Sequence, residues 1–133
     1  MYTPLSYGYQ AFALGAAQQY LLRLCAYGHF NMTPEAKVKL QVRKLLDELH
    51  IYYFFPPANG YGRAGIPDVV GCVHSHFVAI ECKAGRGVLT ALQERELAQI
   101  DDAGGFTFVA NENNINELKE KLVCLIQKRS PNA

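Results

Sequence analysis

The sequence predicts an α/β domain in which one β-sheet packs against amphipathic helices. Two observations support this class. Apolar residues recur at helical spacing in separate segments, and short runs of β-branched and aromatic residues, which favour strands, lie between them. From residue 33 onward the predicted order of elements is α-β-β-β-α-β-α.

The first predicted helix begins at Thr33-Pro34, an N-cap residue followed by proline at the first helical position, and runs to about Leu49. Glu35 lies at the N-terminal end of the helix face that carries the apolar stripe, and the lysines and arginine of the helix are assigned to other faces. The stripe comprises Val38, Val42, Leu45, Leu46 and Leu49.

Three strands are predicted next. The aromatic run 51–55 forms the first, and a loop rich in proline and glycine follows at 56–65. The second and third, near 68–73 and 77–83, are joined by a polar turn at 74–76, which makes them antiparallel neighbours.

The C-terminal part supplies two helices around a strand. Thr90-x-x-Gln93 is a capping-box pattern that opens a helix ending before Gly104-Gly105. Residues 106–110 form a strand, and Asn113 or Asn114 caps a last helix with an apolar face.

Length and composition are those of one folded domain. The chain has 133 residues, of which 50% are apolar and 19% charged, which suits a core without disulfides. The formal net charge of +1 argues neither for nor against an acidic partner. A nucleic-acid-binding protein with this balance must concentrate its basic groups locally.

Residues 1–31 differ from the rest of the chain. They hold no acidic residue and a single arginine, Arg23, and their apolar spacing predicts a short amphipathic helix near 9–27. Because the sequence from Met32 resembles a natural beginning, we expect a compact domain at 32–133, preceded by an arm or an upstream extension of the reading frame.

The cysteines favour a reducing compartment. Cys72 and Cys82 fall in apolar strand-like runs, so we expect both to be buried thiols of a cytoplasmic protein. Cys72-x-His74-x-His76 matches no usual zinc spacing, and a polar hairpin turn explains it better. No run of 18 apolar residues and no secretory signal pattern is present, so we expect no membrane association.

Three charged residues stand beside the predicted hairpin. Alternate residues of a strand share a face, so Glu81 and Lys83 project together from the end of the third strand. Antiparallel pairing brings Asp68, at the start of the second strand, to the same end. Glu35, at one tip of the first helix, could reach this place too.

Gathered carboxylates repel one another unless a cation binds between them, and carboxylate oxygens are what Mg²⁺ prefers. A divalent ion with a lysine beside it suits phosphodiester hydrolysis. Each motif alone has an ordinary explanation, because Pro-Asp is a common turn dipeptide and Glu-x-Lys can be a salt bridge. Their combination at one end of one hairpin favours the site.

These residues resemble a known family. "GIPDVVG" and "FVAIECKAG" are similar to the PD-(D/E)xK nuclease motif, and "GRAGIPDVVG", "IECKAGRGVLTALQ" and "AGGFTFVAN" in that order resemble the virus-type replication-repair nuclease domain, VRR-NUC. The resemblance covers roughly residues 32–125. It implies a restriction-endonuclease-like α-β-β-β-α-β core plus a C-terminal helix, with a mixed sheet flanked by helices, and dependence on Mg²⁺ or Mn²⁺.

By position, the resemblance implies that Asp68, Glu81 and the backbone carbonyl of Cys82 are metal ligands and that Lys83 is the catalytic lysine. Glu35 matches the helix carboxylate that such nucleases often add, although an acid in the first turn of a helix is favourable by itself. Gln93 matches the catalytic-site helix glutamine of the family, although the capping box also explains it.

Loops beside the predicted site hold candidates for DNA binding. Arg63 and Arg86 lie in glycine-rich loops, where arginines commonly contact phosphates, and Tyr61 could stack on an exposed base. Ordinary solvated loop residues are the alternative for all three.

We therefore expect a metal-dependent DNA endonuclease. The alternatives are a nucleic-acid-binding module with the same fold but no turnover, and a sequence-specific restriction-like nuclease. Because one site cuts one strand at a time, we also expect a homodimer, assembled through the arm and the apolar last helix. A preference for branched DNA, such as junctions or flaps, rests on the resemblance alone.

Overall fold

The computed structural model describes residues 32–57 and 62–128. The predicted arm and its helix lie outside the described residues, as does Tyr61. The elements are α1 (Pro34–Glu48), β1 (Tyr52–Phe54), β2 (Val69–Val73), β3 (His76–Cys82), α2 (Ala91–Asp102), β4 (Phe106–Ala110) and α3 (Ile115–Gln127). Their order from residue 33 confirms the predicted α-β-β-β-α-β-α sequence of elements.

The four strands form one mixed sheet in the order β1-β2-β3-β4. β1 pairs with β2, and β2 with β3, in antiparallel fashion, whereas β3 and β4 are parallel. The parallel pair follows from the connection through α2, since parallel strands need a crossover that a tight turn cannot supply. The predicted α/β class with a mixed sheet flanked by helices is confirmed.

Helices cover both faces of this sheet. α1 and α3 pack on one face, around a core that includes Val42, Leu46 and Ile80. α2 packs on the opposite face through Leu97, against Val70 and Ala79. The hairpin β2–β3 is therefore buried from two sides, and a polar group at its end lies at the border between water and the two cores.

Local sequence explains where the helices begin. Thr33 Oγ1 accepts a hydrogen bond of 3.2 Å from the Ala36 N–H at the start of α1. Thr90 and Gln93 form the predicted capping box at α2. Asn114 stands at the predicted N-cap of α3 but makes no side-chain cap bond there. Its amide instead accepts from the Asn111 N–H at 2.7 Å, so it fastens the loop that leaves β4.

The hairpin turn is shorter than predicted. His74 and Ser75 adopt positive φ angles of 41° and 66°, and His76 already belongs to β3. Two successive residues with positive φ make the two-residue turn that matches the twist of antiparallel strands. This turn fixes the register in which Val69 faces Ile80.

The prediction that both strand cysteines are buried is wrong for Cys72. Cys82 is fully buried in the core beneath α1, but the Cys72 thiol is exposed on the opposite face of the sheet. It lies in a cross-strand row between Tyr52 and Phe77, both exposed. α2 covers Val70 of the same strand and does not extend to Cys72.

The apolar face of α3 is used inside the domain. Leu118 and Leu122 are fully buried in the core shared with α1. The described part of α3 therefore does not offer the free apolar face on which the predicted dimer partly depended. None of the helices in the described ranges is long and apolar enough to cross a membrane.

Candidate active site

The end of the β2–β3 hairpin brings Asp68 and Glu81 together. Asp68 immediately precedes β2, and its N–H donates to Glu81 Oε2 at 3.3 Å. In return, the Cys82 N–H donates to Asp68 Oδ2 at 2.9 Å. These two bonds extend the ladder of the hairpin beyond Val69 with carboxylate oxygens as acceptors. The register predicted from strand alternation thus places the two acids side by side.

Glu81 is a buried carboxylate, with a side chain only 2% exposed. Burial raises its pKa because the charged form loses its hydration, and the nearby Asp68 charge acts in the same direction. The Lys83 ammonium, 3.0 Å from Glu81 Oε1, opposes this rise but does not cancel it. Buried acids with a perturbed pKa are characteristic of functional sites, and structural ion pairs also perturb pKa values.

Gln93 contributes to this site and caps α2 at the same time. Its Oε1 accepts from the Thr90 N–H at 2.9 Å, and its backbone N–H donates to Thr90 Oγ1 at 3.3 Å. Its Nε2 donates to Glu81 Oε1. The two explanations offered for Gln93 by the sequence are compatible, because the capping box orients the amide so that its other end reaches Glu81.

Asp68 is paired with a residue that the sequence analysis missed. Lys39 Nζ lies 2.8 Å from Asp68 Oδ1 and 3.9 Å from Glu35 Oε1. Partial burial lowers the pKa of Lys39, but the hydrogen bond and charge of Asp68 outweigh this, so its pKa lies above the ordinary value. The sequence placed Lys39 off the apolar stripe of α1, where it does lie, but gave it no role in the site. Its position four residues after Glu35, on the same side of a helix, was the available signal.

Among the residues that the structure describes, Lys39 is the side chain that joins Glu35 to the site. Within residues 32–57 and 62–128, no three His, Cys, Asp or Glu side chains are grouped closely enough to hold a metal ion together. Asp68 and Glu81 are adjacent, and both supply the oxygen donors that Mg²⁺ or Mn²⁺ prefers. The residues present therefore fit a hard divalent ion held by two carboxylates, with water completing its coordination.

The thiol of Cys82 is excluded from such a site. Its side chain is buried on the face opposite Glu81, and burial raises its pKa to about 12. The thiol therefore lies in the core beneath α1 and away from the two carboxylates. Only the backbone carbonyl of Cys82, as the resemblance implies, is left as a ligand from this residue.

The loop before β2 is attached to α2. Arg63 Nη2 lies 2.9 Å from Glu96 Oε1 and also donates to Gln99 Oε1. Gly65, with φ of 83°, approaches the backbone of Leu92 so closely that a Cβ at this position would lie 2.6 Å from its carbonyl carbon. Neither attachment follows from the local sequence. Together they hold the loop that leads to Asp68 against α2.

The predicted DNA-binding residues have different surroundings. The Arg63 guanidinium is already engaged by α2, although its side chain is 66% exposed. Arg86 is exposed in the loop after β3, next to Gly85, whose N–H donates to Glu112 Oε1 at 2.8 Å. Contact of Arg63 and Arg86 with phosphate stays a prediction, and Tyr61 lies outside the described residues.

Comparison with solved structures finds a similar chain described as a "VRR_NUC domain protein". It is 18% identical, the match covers 84% of this chain and 88% of that chain, and the TM-score is 0.47. Its description names the domain that the motifs of this sequence resemble. No family model matches the chain. No curated protein matches it.

Proposed function

We propose that this protein is a metal-dependent nuclease of the PD-(D/E)xK type that hydrolyses phosphodiester bonds of DNA. One observation carries the proposal. The buried Glu81 carboxylate, bound by Lys83 and Gln93, lies directly beside Asp68 at the end of one hairpin. A carboxyl group whose pKa is raised by burial costs folding free energy once it ionises, so a function is the better explanation for keeping it there.

Asp68 and Glu81 are the residues that would hold the ion, together with the Cys82 carbonyl. When bound, Mg²⁺ or Mn²⁺ supplies a charge that attracts a phosphate oxygen and makes bound water more acidic. Hydrolysis adds the elements of water across one P–O ester bond, and the oxygen that leaves takes up a proton. Glu35, on the other side of Lys39, is a further carboxylate for the ion or its waters.

Lys83 and Gln93 have separate tasks in this proposal. The Lys83 ammonium, whose side chain is only 14% exposed, would stabilise the negative charge that grows on the phosphate oxygens in the transition state. Gln93 does not need to touch DNA. By donating to Glu81 Oε1 it keeps the carboxylate in one orientation, and the capping box keeps Gln93 itself in place.

The expected preference for branched DNA, the homodimer and the cytoplasmic location are also proposals. The preference rests on the resemblance of the sequence motifs. The dimer rests on the need for two sites when both strands of a junction are cut, since α3 has its apolar face inside the domain. We assign the chemistry to residues 32–133 and none of it to the arm.

The test uses the purified full chain with linear, nicked, flapped and four-way DNA, in Mg²⁺, Mn²⁺, Ca²⁺ or EDTA. Asp68→Asn and Glu81→Gln remove one charge each from the site. Asp101→Asn, at the exposed end of α2, is the matched control. We expect cleavage in Mg²⁺ or Mn²⁺ that the first two variants lose and the control keeps.

Other outcomes point to the alternatives. Binding of DNA without cleavage in any metal would indicate a binding module. Cleavage at one sequence only would indicate a restriction-like enzyme. Equal rates on all four DNA forms would exclude the preference for branched DNA and leave a general nicking nuclease.

A further inference from the structure

Each carboxylate of the hairpin end has its own lysine. Glu81 is paired with Lys83 at 3.0 Å, and Asp68 is paired with Lys39 at 2.8 Å. The motif accounts for Lys83. Nothing in the proposed chemistry requires a second ammonium, and Lys39 comes from a different layer of the domain, the helix α1.

The Lys39–Asp68 pair differs from the surface pairs along the helices. Arg43 and Asp47 lie one helical turn apart at 4.0 Å, with both side chains nearly half exposed. Such pairs contribute little to stability. Lys39 instead joins α1 to the residue before β2 at a short distance, and the Asp68 side chain is only 20% exposed. The pair is thus built into the junction of two elements.

Lys39 occupies the oxygen of Asp68 that a cation would need. Oδ2 of Asp68 accepts from the Cys82 N–H and is fixed by the sheet. Oδ1 has Lys39 as its partner. A metal ion about 2.0–2.1 Å from Oδ1 would lie within a few ångströms of the ammonium if Lys39 stayed. Two cations at that distance repel strongly where water is partly excluded.

We infer that Lys39 is an exchangeable counter-cation, which neutralises Asp68 in the metal-free protein and leaves Asp68 Oδ1 when a divalent metal ion binds. The inference rests on the proposed metal site. It goes beyond that function because it assigns to Lys39 the control of metal affinity. The ion must displace an ammonium, so the site binds metal more weakly than the same two carboxylates would without Lys39.

Binding of Mn²⁺ to the full chain, followed by electron paramagnetic resonance without DNA, tests this directly. Lys39→Met removes the competitor, and we expect Mn²⁺ to bind about tenfold more tightly. Lys39→Arg keeps a cation at this position and should stay within a few-fold of wild type. Lys37→Met, an exposed lysine of the same helix, is the matched control and should remain within about twofold.

Asp68→Asn separates the two proposals. If it loses Mn²⁺ binding while Lys39→Met binds like wild type or more weakly, the inference about Lys39 is wrong and the metal site stands. If Asp68→Asn binds Mn²⁺ like wild type, the proposed metal site is wrong and the inference fails with it. Circular dichroism of every variant checks that it is folded.

A second readout distinguishes displacement from a distant effect of charge. Reductive methylation with ¹³C labels the lysines and keeps their charge, and the Lys39 signal is identified by its absence in Lys39→Met. On addition of Ca²⁺ we expect this signal to move towards that of an exposed lysine, while the Lys37 signal stays. A Lys39 signal that does not move while Ca²⁺ binds would show that Lys39 stays on Asp68.

Discussion

The replacement of Lys83 by methionine tests whether Glu81 is held as a buried charge. The pair is short, at 3.0 Å, and its two side chains are 14% and 2% exposed. Removal of one partner from a buried ion pair typically costs about 3–5 kcal/mol, because the other charge stays buried. Here Glu81 keeps Gln93 and the Asp68 N–H as donors. We therefore expect a smaller loss of about 2–3 kcal/mol in the free energy of unfolding.

Urea denaturation followed by circular dichroism measures this loss. With a slope of about 1–3 kcal/mol per molar urea, the midpoint should fall by roughly 0.7–3 M at pH 8. Lys119→Met is the matched control, because Lys119 lies 3.8 Å from Glu48 and both side chains are well exposed. Its effect should stay within about 0.5 kcal/mol.

The pH dependence identifies the cause of the loss. Lys83 lowers the pKa of Glu81, so its removal lets that pKa rise further. At pH values low enough to protonate Glu81 the unpaired charge disappears, and the cost of Lys83→Met should shrink. A loss no larger than that of Lys119→Met at pH 8, or one that does not change with pH, would refute the account of Glu81 as a buried charge.

Three further predictions concern the loop before Asp68, the pH response of wild type and the arm. In urea denaturation, Gly65→Ala should lower the free energy of unfolding by more than about 2 kcal/mol, because the new Cβ adds a close contact with Leu92 to the strain of a positive φ. Gly85 also has a positive φ but faces open space, so Gly85→Ala should cost only about 1–2 kcal/mol. Because the pKa of Glu81 is raised in the folded state, its stabilising contribution is complete below the unfolded pKa and is lost as the pH rises through the folded pKa. Glu81→Gln lacks this titration, so its free energy of unfolding should increase relative to wild type over that rise in pH. A difference between the two proteins that does not change with pH would contradict this. A chain that begins at Met32 should fold and cut DNA, and a folded but inactive product would assign the arm to the site or to an assembly that the site requires.

The alternation of side chains along the strands was sufficient to predict that Asp68 and Glu81 lie close together. Side chains of a strand alternate strictly, so a hairpin with a tight turn leaves little freedom of register once its apolar face is known. Asp68 and Glu81 became neighbours for this reason. The apolar stripe of α1 and the capping box of α2 were equally local signals, and both elements lie where they were predicted.

The remaining features depend on packing between distant segments. Lys39 reaches Asp68 because α1, packed on the sheet, brings this side chain to the residue before β2, and helical periodicity does not give that placement. Cys72 is exposed because α2 packs over Val70 but not over Cys72. The composition of a strand does not show how far a helix covers it. Arg63 binds Glu96, which lies 33 residues further along the chain. Local sequence cannot reveal such a pair, and it indicates only that Arg63 is a cation in a loop.

The rate of DNA cleavage by Asp68→Asn in Mg²⁺ buffer tests the central claim most directly. Asp68 lies beside the buried Glu81 at the end of the hairpin, and the substitution keeps its shape while it removes the charge. We predict that the folded variant loses at least two orders of magnitude in rate relative to wild type and to Asp101→Asn. Cleavage at the wild-type rate by folded Asp68→Asn would contradict the assignment of this hairpin end as the active site.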